Sequence, residues 1–392
     1  MPIEEIAGAR ESHGVAKGAV HISRESIALA RDQEGSRLAV FGNLPIARVI
    51  ADYDVWDMWP LAHRNGNTVN AHGRQYWFFL ATPVLDDPED RHDIARIRLA
   101  SIGSDGWCDH GWALPDGWSP GSREWSGCTV LDDDGRKVTM YFTATGRRGA
   151  PHSFEQRLFE GSGELTFEGH TPSLRNWSQP EESIRADGHW YKVADQVVAP
   201  PHGIWGFRDP GYFLDPADGT EHLLFAGSAG WTQDRLDGVV GLATRASTGM
   251  GWILQPPLIE ALGVNSELER PHVIVRDGLY YCFWSSHGRR HDPDLGAPTG
   301  LYGMVAEQFH GPWRPLNGSG LVAANPSDSP FQAYCWWVMG EGNVISFVDY
   351  PTARGSEPPQ MASERRAIFG GTVAPIFQLT FDGDVVLPRS AA

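Results

Sequence analysis

Several acidic residues of this chain stand in short motifs whose other members could prepare a carboxylate for chemistry. Asp57 lies between tryptophans in VWDMWP, Asp209 follows an arginine in FRDP, and Glu269 precedes an arginine in ELERPH. A charged carboxylate beside apolar rings is costly unless it is paired or used. An isolated acid of this kind is usually a turn cap or a surface ion pair, so these motifs carry chemistry only if the fold brings them together.

Acids that share one pocket could cleave a glycosidic bond. In a retaining glycosidase, an ionised carboxylate attacks the anomeric carbon, and a protonated carboxyl group roughly 5 to 5.5 Å away gives a proton to the departing oxygen. Two acids so close raise the pKa of one of them, which keeps that proton available near neutral pH. Nearby arginines such as Arg208 and Arg270 would orient the remaining carboxylates. Sugar rings also pack against indole faces, and the candidates are Trp56, Trp125 and Trp205.

The composition restricts the partners of such a pocket. The 392 residues include 32 Lys and Arg against 49 Asp and Glu, a formal net charge of −17. This balance argues against nucleic acid and against an anionic membrane surface, and it favours a neutral or cationic small ligand. Hydrophobic residues make up 41% of the chain, which is enough for a substantial core.

Glycine, proline and tryptophan usage indicates an all-β chain. The sequence contains 45 glycines, 28 prolines and 16 tryptophans; helix interiors tolerate neither Gly nor Pro, whereas many short strands joined by tight turns need both. Four segments show the alternation of a β-hairpin around a turn: CTVLDDDGRKVTMYFTAT, YFLDPADGTEHLLFAG, HVIVRDGLYYCFWSS and WWVMGEGNVISFVDY. One short helix is predicted near SRESIALARDQ.

Polar groups recur at the start of each strand-rich module. The markers, separated by 67, 85, 60 and 63 residues, are Asp57, Glu124, Asp209, Glu269 and Gln332. Five similar modules predict a five-bladed β-propeller with a central, funnel-shaped active site. A two-sheet sandwich is the alternative, but it does not explain the recurrence. We expect residues 1–50 to form an extension that packs on the propeller, and residues 51–392 to form the catalytic propeller.

Cysteine, histidine and N-terminal patterns exclude several other classes. The four cysteines lack metal-knuckle spacing and are interpreted as ordinary buried thiols. The fifteen histidines show no compact ligand spacing, and DDDG at 132–135 reads as a hairpin turn, so neither a metal nor another cofactor is expected. The acidic N-terminus lacks the pattern of a signal peptide, and no apolar run is long enough to span a membrane. We therefore expect a cytoplasmic protein, or one exported without a cleavable signal.

Six motifs, in order, resemble those of glycoside hydrolase family 68, the levansucrases and β-fructofuranosidases. They are VWDMWPL, EWSG, FRDP, ERPHV, GPWRPLNGSGLV and GGTVAP, and they cover about residues 50 to 375. The resemblance implies a five-bladed β-propeller whose central pocket accepts sucrose. It also implies a nucleophile at Asp57, a transition-state stabiliser at Asp209 and a general acid/base at Glu269.

The same resemblance implies further contacts with the sugar. Trp56 and Trp59 would shape the bottom of the pocket, and Glu267 and Tyr334 would lie near the glucosyl side. His287 stands where some relatives carry an arginine. The full set of implied substrate-binding residues is Trp56, Trp125, Ser126, Arg208, Glu267, Arg270, His287 and Tyr334.

This chain departs from the family pattern at several positions. The segment FAGSAG places Ala226 and Ser228 where an acid and an asparagine are usual, and the insertion that follows is shortened to WTQDRLDG. Ser266 replaces a calcium-binding aspartate of many relatives, so that metal site is expected to be absent. Residues 334–336 read YCW instead of YSH. These changes leave the three acids intact and bear on the choice of acceptor.

The combined expectation is a retaining enzyme that cleaves sucrose through a covalent fructosyl-enzyme. Water as acceptor gives hydrolysis, and a sugar hydroxyl gives fructosyl transfer. The shortened loop favours hydrolysis or short fructooligosaccharides over polymeric fructan, which remains the alternative. A propeller that binds a fructoside without cutting it is the alternative from another class. The oligomeric state is not predicted.

Overall fold

The computed structural model describes residues 19–41, 46–195, 204–355 and 357–389. Within these ranges strands dominate, and the α-helices are short: α1 is Arg24–Leu29, α2 is Arg91–Ile94 and α3 is Ala362–Ile368. The all-β prediction and the short helix near SRESIALARDQ are therefore confirmed. Residues 1–18 and 42–45 of the predicted N-terminal extension lie outside the described residues. None of the described helices is long and apolar enough to cross a membrane.

The largest sheet has ten strands and consists of two antiparallel halves. Its strands are β2 (Tyr53–His63), β3 (Asn70–Ala71), β4 (Arg74–Pro83), β5 (Arg96–Gly103), β6 (Gly106–Trp112), β7 (Arg123–Leu131), β8 (Lys137–Thr145), β9 (Gln156–Glu168), β10 (Thr171–Arg175) and β11 (Glu181–Ile184). The halves join where β2 and β7 pair in parallel, with Leu61 opposite Thr129 and His63 opposite Leu131. The indole Nε1 of Trp59 adds a hydrogen bond of 2.9 Å to Thr129 Oγ1 at the same seam.

Three further sheets have five strands each. The first contains β1 (Val20–His21), β12 (Phe207–Leu214), β13 (Glu221–Ser228), β14 (Gly238–Arg245) and β15 (Ile253–Glu260); the second contains β16 (Glu269–Arg276), β17 (Leu279–Ser286), β18 (Gly300–Ala306), β19 (Arg314–Pro315) and β20 (Leu321–Ala324); the third contains β21 (Ala333–Val338), β22 (Asn343–Val348), β23 (Thr372–Val373), β24 (Phe377–Asp382) and β25 (Val385–Pro388).

The four predicted hairpins are confirmed as β7–β8, β12–β13, β16–β17 and β21–β22. In the first of them, the carboxylate of Asp134 accepts hydrogen bonds from the amides of Arg136 and Lys137, at 2.8 and 3.1 Å. Gly135 has a φ of 69°, which glycine adopts without the strain of a Cβ atom. The DDDG motif therefore closes a hairpin.

The first strand of each hairpin, and β2 as well, shares one irregularity. A β-bulge interrupts the register of β2, β7, β12, β16 and β21 near the start of each strand. In four of the five, a residue other than glycine has a left-handed φ: 46° at Asp57, 63° at Asp209, and 54° at Arg270 and Cys335. Each such residue costs on the order of 1–3 kcal/mol and persists only where its surroundings enforce it. Because a bulge bends the strand and re-aims its side chains, the repeated defect turns five strand starts inward.

The described part of the N-terminal extension packs on the sheets. Strand β1 pairs in parallel with β15, and the side chain of Ile27 in α1 is buried in a cluster with residues of the first two five-stranded sheets. Further along, the amide side chain of Gln332 accepts a hydrogen bond from the backbone of Phe41 and donates one to Ala39, each at 3.0 Å. Together these contacts make the described part of the extension an integral layer of the fold.

Candidate active site

A cavity of about 590 Å³ opens where the bulged strand starts meet. The wall includes side chains from all five of these strands or from the residues just before them, among them Asp57, Ser126, Asp209, Glu269 and Tyr334. Three acids that lie far apart in the sequence therefore share one pocket, as the sequence predicts. A cavity of this size suits a small molecule.

Asp57 stands at the bulge of β2 with its carboxylate held from β7. Ser126 Oγ donates a hydrogen bond of 2.7 Å to Asp57 Oδ2. Ser126 itself is buried, and its backbone oxygen accepts a hydrogen bond of 3.1 Å from Thr143 Oγ1. Strand β7 thus fixes one oxygen of Asp57, and the thiol of Cys335 on β21 is a second hydrogen-bond partner of this carboxylate.

Glu269, just before the bulge of β16, is held by two donors. Arg208 Nη2 lies 2.8 Å from Glu269 Oε1, and the hydroxyl group of Tyr334 donates to Oε2. Burial alone would raise the pKa of Glu269, but the charge of Arg208 and these hydrogen bonds outweigh it and lower the pKa. Glu269 is therefore ionised near neutral pH.

Asp209 has the opposite electrostatic situation. Its backbone amide donates to Thr143 Oγ1 at 3.0 Å, and Arg208 Nε lies 3.7 Å from Oδ2. Burial raises the pKa of Asp209 to about 7; Arg208 opposes this shift, and the charges of Glu269 and Asp57 add to it. A raised pKa in the acid cluster is as predicted, but it falls on Asp209 and not on Glu269.

Arg208 is the shared counter-charge of the cluster. Besides Glu269 and Asp209, its Nη2 lies 3.3 Å from Glu267 Oε1, and the other oxygen of Glu267 lies 2.8 Å from Arg290 Nε. The side-chain oxygen of Gln156 lies 3.4 Å from Arg208 Nη1 and also accepts the amide of Phe207 at 3.1 Å. Sequence reasoning missed Gln156, because a single glutamine in a strand gives no signal.

Tyr334 and His287 form one face of the cavity. Their rings stack with centroids 3.5 Å apart and an interplanar angle of 13°. Burial, supported by the charge of Arg289, lowers the pKa of His287 well below its ordinary value, so the ring is neutral. A flat, neutral stack beside Glu269 fits an uncharged ring such as a sugar.

Three residues expected at the pocket, Trp59, Trp205 and Arg270, are not part of the cavity wall. Arg270 is not part of the cavity wall: its guanidinium lies between the indoles of Trp59 and Trp337, with its carbon 5.5 and 5.1 Å from the ring centroids. Because the guanidinium packs against these two indoles and is absent from the wall, the structure does not support the predicted direct contact of Arg270 with the substrate. Trp205 is also outside the described wall, whereas Trp56 and Trp125 belong to it.

Glu124 and Gln332, which marked the starts of two of the five modules in the sequence, do not line the cavity and make structural contacts. The carboxylate of Glu124 accepts the amide of Ile97 at 2.8 Å, and Gln332 binds the N-terminal extension. In both strands the pocket residue follows two positions later, as Ser126 and Tyr334. The module spacing was informative, although two of the marker side chains do not face the site.

Loops contribute a charged rim that the sequence did not reveal. Arg91 and His92 of α2 line the cavity, and the guanidinium carbon of Arg91 lies 5.5 Å from the centroid of Trp56. Across the mouth, Arg289 Nη1 lies 3.5 Å from Glu357 Oε2. These residues lie in segments without motif spacing, so their position at the site could not be predicted from the sequence.

The family departures have satisfied local contacts. Ser228 is buried and its Oγ accepts the amide of Gly206 at 3.1 Å, while Ala226 lies opposite Arg208 in the β12–β13 pairing. Ser266 Oγ donates to the backbone oxygen of Arg290 at 3.2 Å. No group of three or more metal-ligating side chains occurs among the residues that the structure describes.

Carboxylates from separate strands around a sugar-sized cavity define a glycoside-cleaving enzyme. The chain matches the levansucrase/invertase family over residues 27–238 and 236–389. The levansucrase of Zymomonas mobilis subsp. mobilis is 34% identical over 365 residues, which cover 84% of this chain and 81% of that protein. The chain belongs to this family, glycoside hydrolase family 68.

Solved structures agree with this membership. The inulosucrase from Halalkalicoccus jeotgali bound to kestose matches with a TM-score of 0.85 and 34% identity, covering 94% of this chain and 95% of that chain. The catalytic domain of the Microbacterium saccharophilum K-1 β-fructofuranosidase has a TM-score of 0.80 over 98% of this chain and 92% of that chain. At 22% identity, this second likeness concerns the fold alone.

Proposed function

We propose that the protein cleaves sucrose at the fructosyl bond and retains the configuration through a covalent fructosyl-enzyme. The observation that carries the proposal is the meeting of Asp57, Asp209 and Glu269 in one cavity of a family 68 chain. The relatives named above are a levansucrase, an inulosucrase and a β-fructofuranosidase, which act by fructosyl transfer or hydrolysis.

Each acid then has a separate task. Asp57 attacks the anomeric carbon of the fructosyl group; Ser126 holds one of its oxygens so that the other points at the carbon. Glu269 gives a proton to the oxygen that leaves with glucose, and later takes one from the acceptor. Asp209 binds hydroxyl groups of the fructosyl ring and stabilises the positive charge of the transition state.

The proton needed by Glu269 can come from within the cluster. The pKa of Asp209 is raised to about 7, so Asp209 holds a proton below that pH. Arg208 and Tyr334 keep Glu269 ionised. A bound sugar that takes over their hydrogen bonds removes this stabilisation, and the pKa of Glu269 then rises towards that of a general acid.

The remaining predicted residues bind the substrate. We assign Trp56, Trp125 and Ser126 to the pocket wall around fructose. We assign Glu267, His287 and Tyr334 to the glucosyl side, with Arg208 between the two halves. Arg270 supports the floor through Trp59 and does not touch the sugar.

The fate of the fructosyl group follows from the acceptor. Water gives hydrolysis and a sugar hydroxyl gives transfer; we favour hydrolysis and short fructooligosaccharides because WTQDRLDG leaves few groups to hold a long chain. Polymeric fructan, as the levansucrase name of the relatives suggests, is the alternative product. A fructoside-binding protein without activity is disfavoured, because the strained backbone at Asp57 and Asp209 costs stability without serving a binder.

The architecture proposed for this function is a five-bladed propeller. The two halves of the ten-stranded sheet and the three five-stranded sheets supply the five blades, each opening with a bulged strand. Residues 51–392 would form this domain and residues 1–50 the extension that packs on it. Location in the cytoplasm, or export without a cleavable signal, stays a prediction.

Product analysis tests the proposal. Purified protein is incubated with sucrose, and glucose and fructose are measured separately over a range of sucrose concentrations. Equal amounts indicate hydrolysis, an excess of glucose indicates transfer, and the absence of both supports the binder. The Asp57→Asn variant should lose turnover by a factor on the order of 10⁴, as expected for the removal of one member of a catalytic unit, with an unchanged melting temperature. Substantial residual activity would remove Asp57 from its role.

A further inference from the structure

An acidic residue without an assigned role, Asp349, lies in the wall of the same cavity. It directly follows β22, it is 5% exposed, and its Oδ1 has no hydrogen-bond partner among the described residues. An unpaired buried carboxylate oxygen costs stability. Such a group is expected where a ligand supplies the missing partner.

The backbone fixes Asp349 beside the strand of the nucleophile. Its amide donates to the oxygen of Gln332 at 3.1 Å, and its own oxygen accepts the amide of Gly370 at 2.8 Å. The next residue, Gly371, accepts the amide of Val55 at 2.9 Å. This ladder places Asp349 next to the segment of β2 that carries Trp56 and Asp57.

An ion pair does not account for the buried carboxylate of Asp349. Arg91 is the strongest opposing charge near Asp349, yet its Nη1 is engaged at 3.0 Å by Glu89 and at 2.8 Å by the oxygen of Pro88. No hydrogen bond joins Arg91 to Asp349 in the described structure. Burial, countered in part by Arg91, raises the pKa of Asp349 to about 7. A group in this state exchanges hydrogen bonds with a hydroxyl in either protonation form.

We propose that Asp349 binds the fructosyl ring of the substrate through a hydrogen bond between its Oδ1 and a ring hydroxyl. The inference rests on the proposed function, since a fructosyl group bonded to Asp57 lies within reach of the residues that flank β2. It adds a fourth acid to the pocket, one that binds the sugar and takes no part in bond cleavage.

Two variants and two substrates test this assignment. Asp349→Ala removes the acceptor, and Asp349→Asn keeps the shape and an acceptor oxygen but not the charge. Sucrose carries both rings, whereas methyl β-D-fructofuranoside lacks the glucosyl ring. Asp215→Asn is the matched control: Asp215 is 6% exposed, accepts the Tyr280 hydroxyl at 2.7 Å and lies outside the cavity wall.

We expect Asp349→Ala to lower kcat/KM about ten- to a hundredfold for both substrates, mainly through KM, the range for a hydrogen bond to a charged group. Asp349→Asn should lose less. The melting temperature should stay level or rise, because an unpaired buried acid is removed. Asp215→Asn should lower the melting temperature and leave KM unchanged.

Three results would overturn the assignment. Unchanged kinetics with both substrates would exclude a contact, a loss confined to sucrose would place Asp349 at the glucosyl ring, and a fallen melting temperature would make the role structural. If the wild type turns over neither substrate, the proposed function fails first. The Asp349 contact is then tested by binding alone. Sucrose affinity is measured by calorimetry for the Asp57→Asn variant and for the double variant that also carries Asp349→Ala. Equal affinities would refute the contact.

Discussion

Asp209 and Glu269 have pKa values shifted in opposite directions, so Asp209 is protonated and Glu269 is ionised at mildly acidic pH. The raised pKa of Asp209, about 7, and the lowered pKa of Glu269 both follow from burial and from which acid Arg208 and Tyr334 contact. In coupled acids of this kind the measured pKa belongs to the group and not to one residue. Asp209 and Glu269 together therefore hold one proton at mildly acidic pH and lose it when the pH rises through about 7. Asp349, whose pKa is also raised to about 7, titrates in the same range but takes no part in bond cleavage.

This predicts the pH dependence of the free enzyme. Catalysis needs the proton, which is bound below the pKa and lost above it, so kcat/KM for sucrose should fall tenfold per pH unit above about 7. The measurement is initial glucose release at low sucrose concentration between pH 4 and 10. Inactivation is controlled by returning each sample to pH 6. A profile that stays flat up to pH 9 would contradict the proton assignment.

Residue types in motifs predicted the acids, but not the direction of every side chain. Asp57, Asp209 and Glu269 could be predicted because each stands in a short, specific motif. The orientation of Arg270 could not be predicted, because it depends on packing against Trp59 and Trp337, which are distant in the sequence. Asp349 gave no signal at all, since an aspartate after a strand usually caps a turn.

At the level of elements, the bulge of β7 depends on a glycine. A Cβ atom on Gly127 would lie 1.9 Å from the backbone oxygen of Tyr141 and 2.8 Å from the Cα of Phe142. Only glycine lets β7 and β8 approach this closely directly after Ser126. The position of Ser126, which donates its hydroxyl hydrogen bond to Asp57, therefore depends on the absence of a side chain at Gly127.

Gly127→Ala should therefore damage both stability and activity. We expect a loss of roughly 3 kcal/mol or more in the free energy of unfolding, as for overpacking against a backbone that cannot move, and a lower kcat because Ser126 shifts. Gly251→Ala is the control, since nothing lies within 4 Å of its added Cβ and the change should be neutral. Denaturant unfolding and sucrose turnover check both. Normal stability of the Gly127→Ala variant would mean that the strands separate easily.

Strands and hairpins were the most predictable elements, and the rim was the least. Alternating β-branched and aromatic residues around Asp-Gly or Gly-containing turns predicted four hairpins correctly, whereas the hairpins β5–β6, β9–β10 and β24–β25 were not predicted. The rim comes from α2 and from the segment near Glu357, whose positions depend on contacts such as the ion pair between Arg365 and Asp87. Pairings of this kind link residues hundreds of positions apart, and one sequence does not reveal them.

At the scale of the whole molecule, the described part of the N-terminal extension contributes side chains to the hydrophobic core formed with the sheets. Ile27 is 2% exposed and Leu29, in the same short helix, is 61% exposed. The two residues are similar in size and lie in the same helix. Comparing an alanine substitution at each position therefore distinguishes the contribution of packing from that of helix formation. The pair offers a direct measure of how firmly the N-terminal segment is docked.

We expect Ile27→Ala to lower the free energy of unfolding by about 2–4 kcal/mol, as for large-to-small changes in a core. Leu29→Ala should stay within about 0.5 kcal/mol, as is usual on a surface. Chemical denaturation monitored by tryptophan fluorescence provides both values. Equal, small effects would show that the extension contributes little, and the proposed packing of residues 1–50 on the rest of the chain would lose its support.

The parallel seam between β2 and β7 gives the site an uneven rigidity. Asp57 and Ser126 stand on neighbouring strands of one sheet, whereas Asp209 and Glu269 belong to two other sheets. Warming or mild denaturant should therefore misalign the proton donor while the nucleophile stays aligned with its hydroxyl. On heating, the enzyme would then lose activity before it unfolds. The temperature of maximal turnover would lie well below the melting temperature.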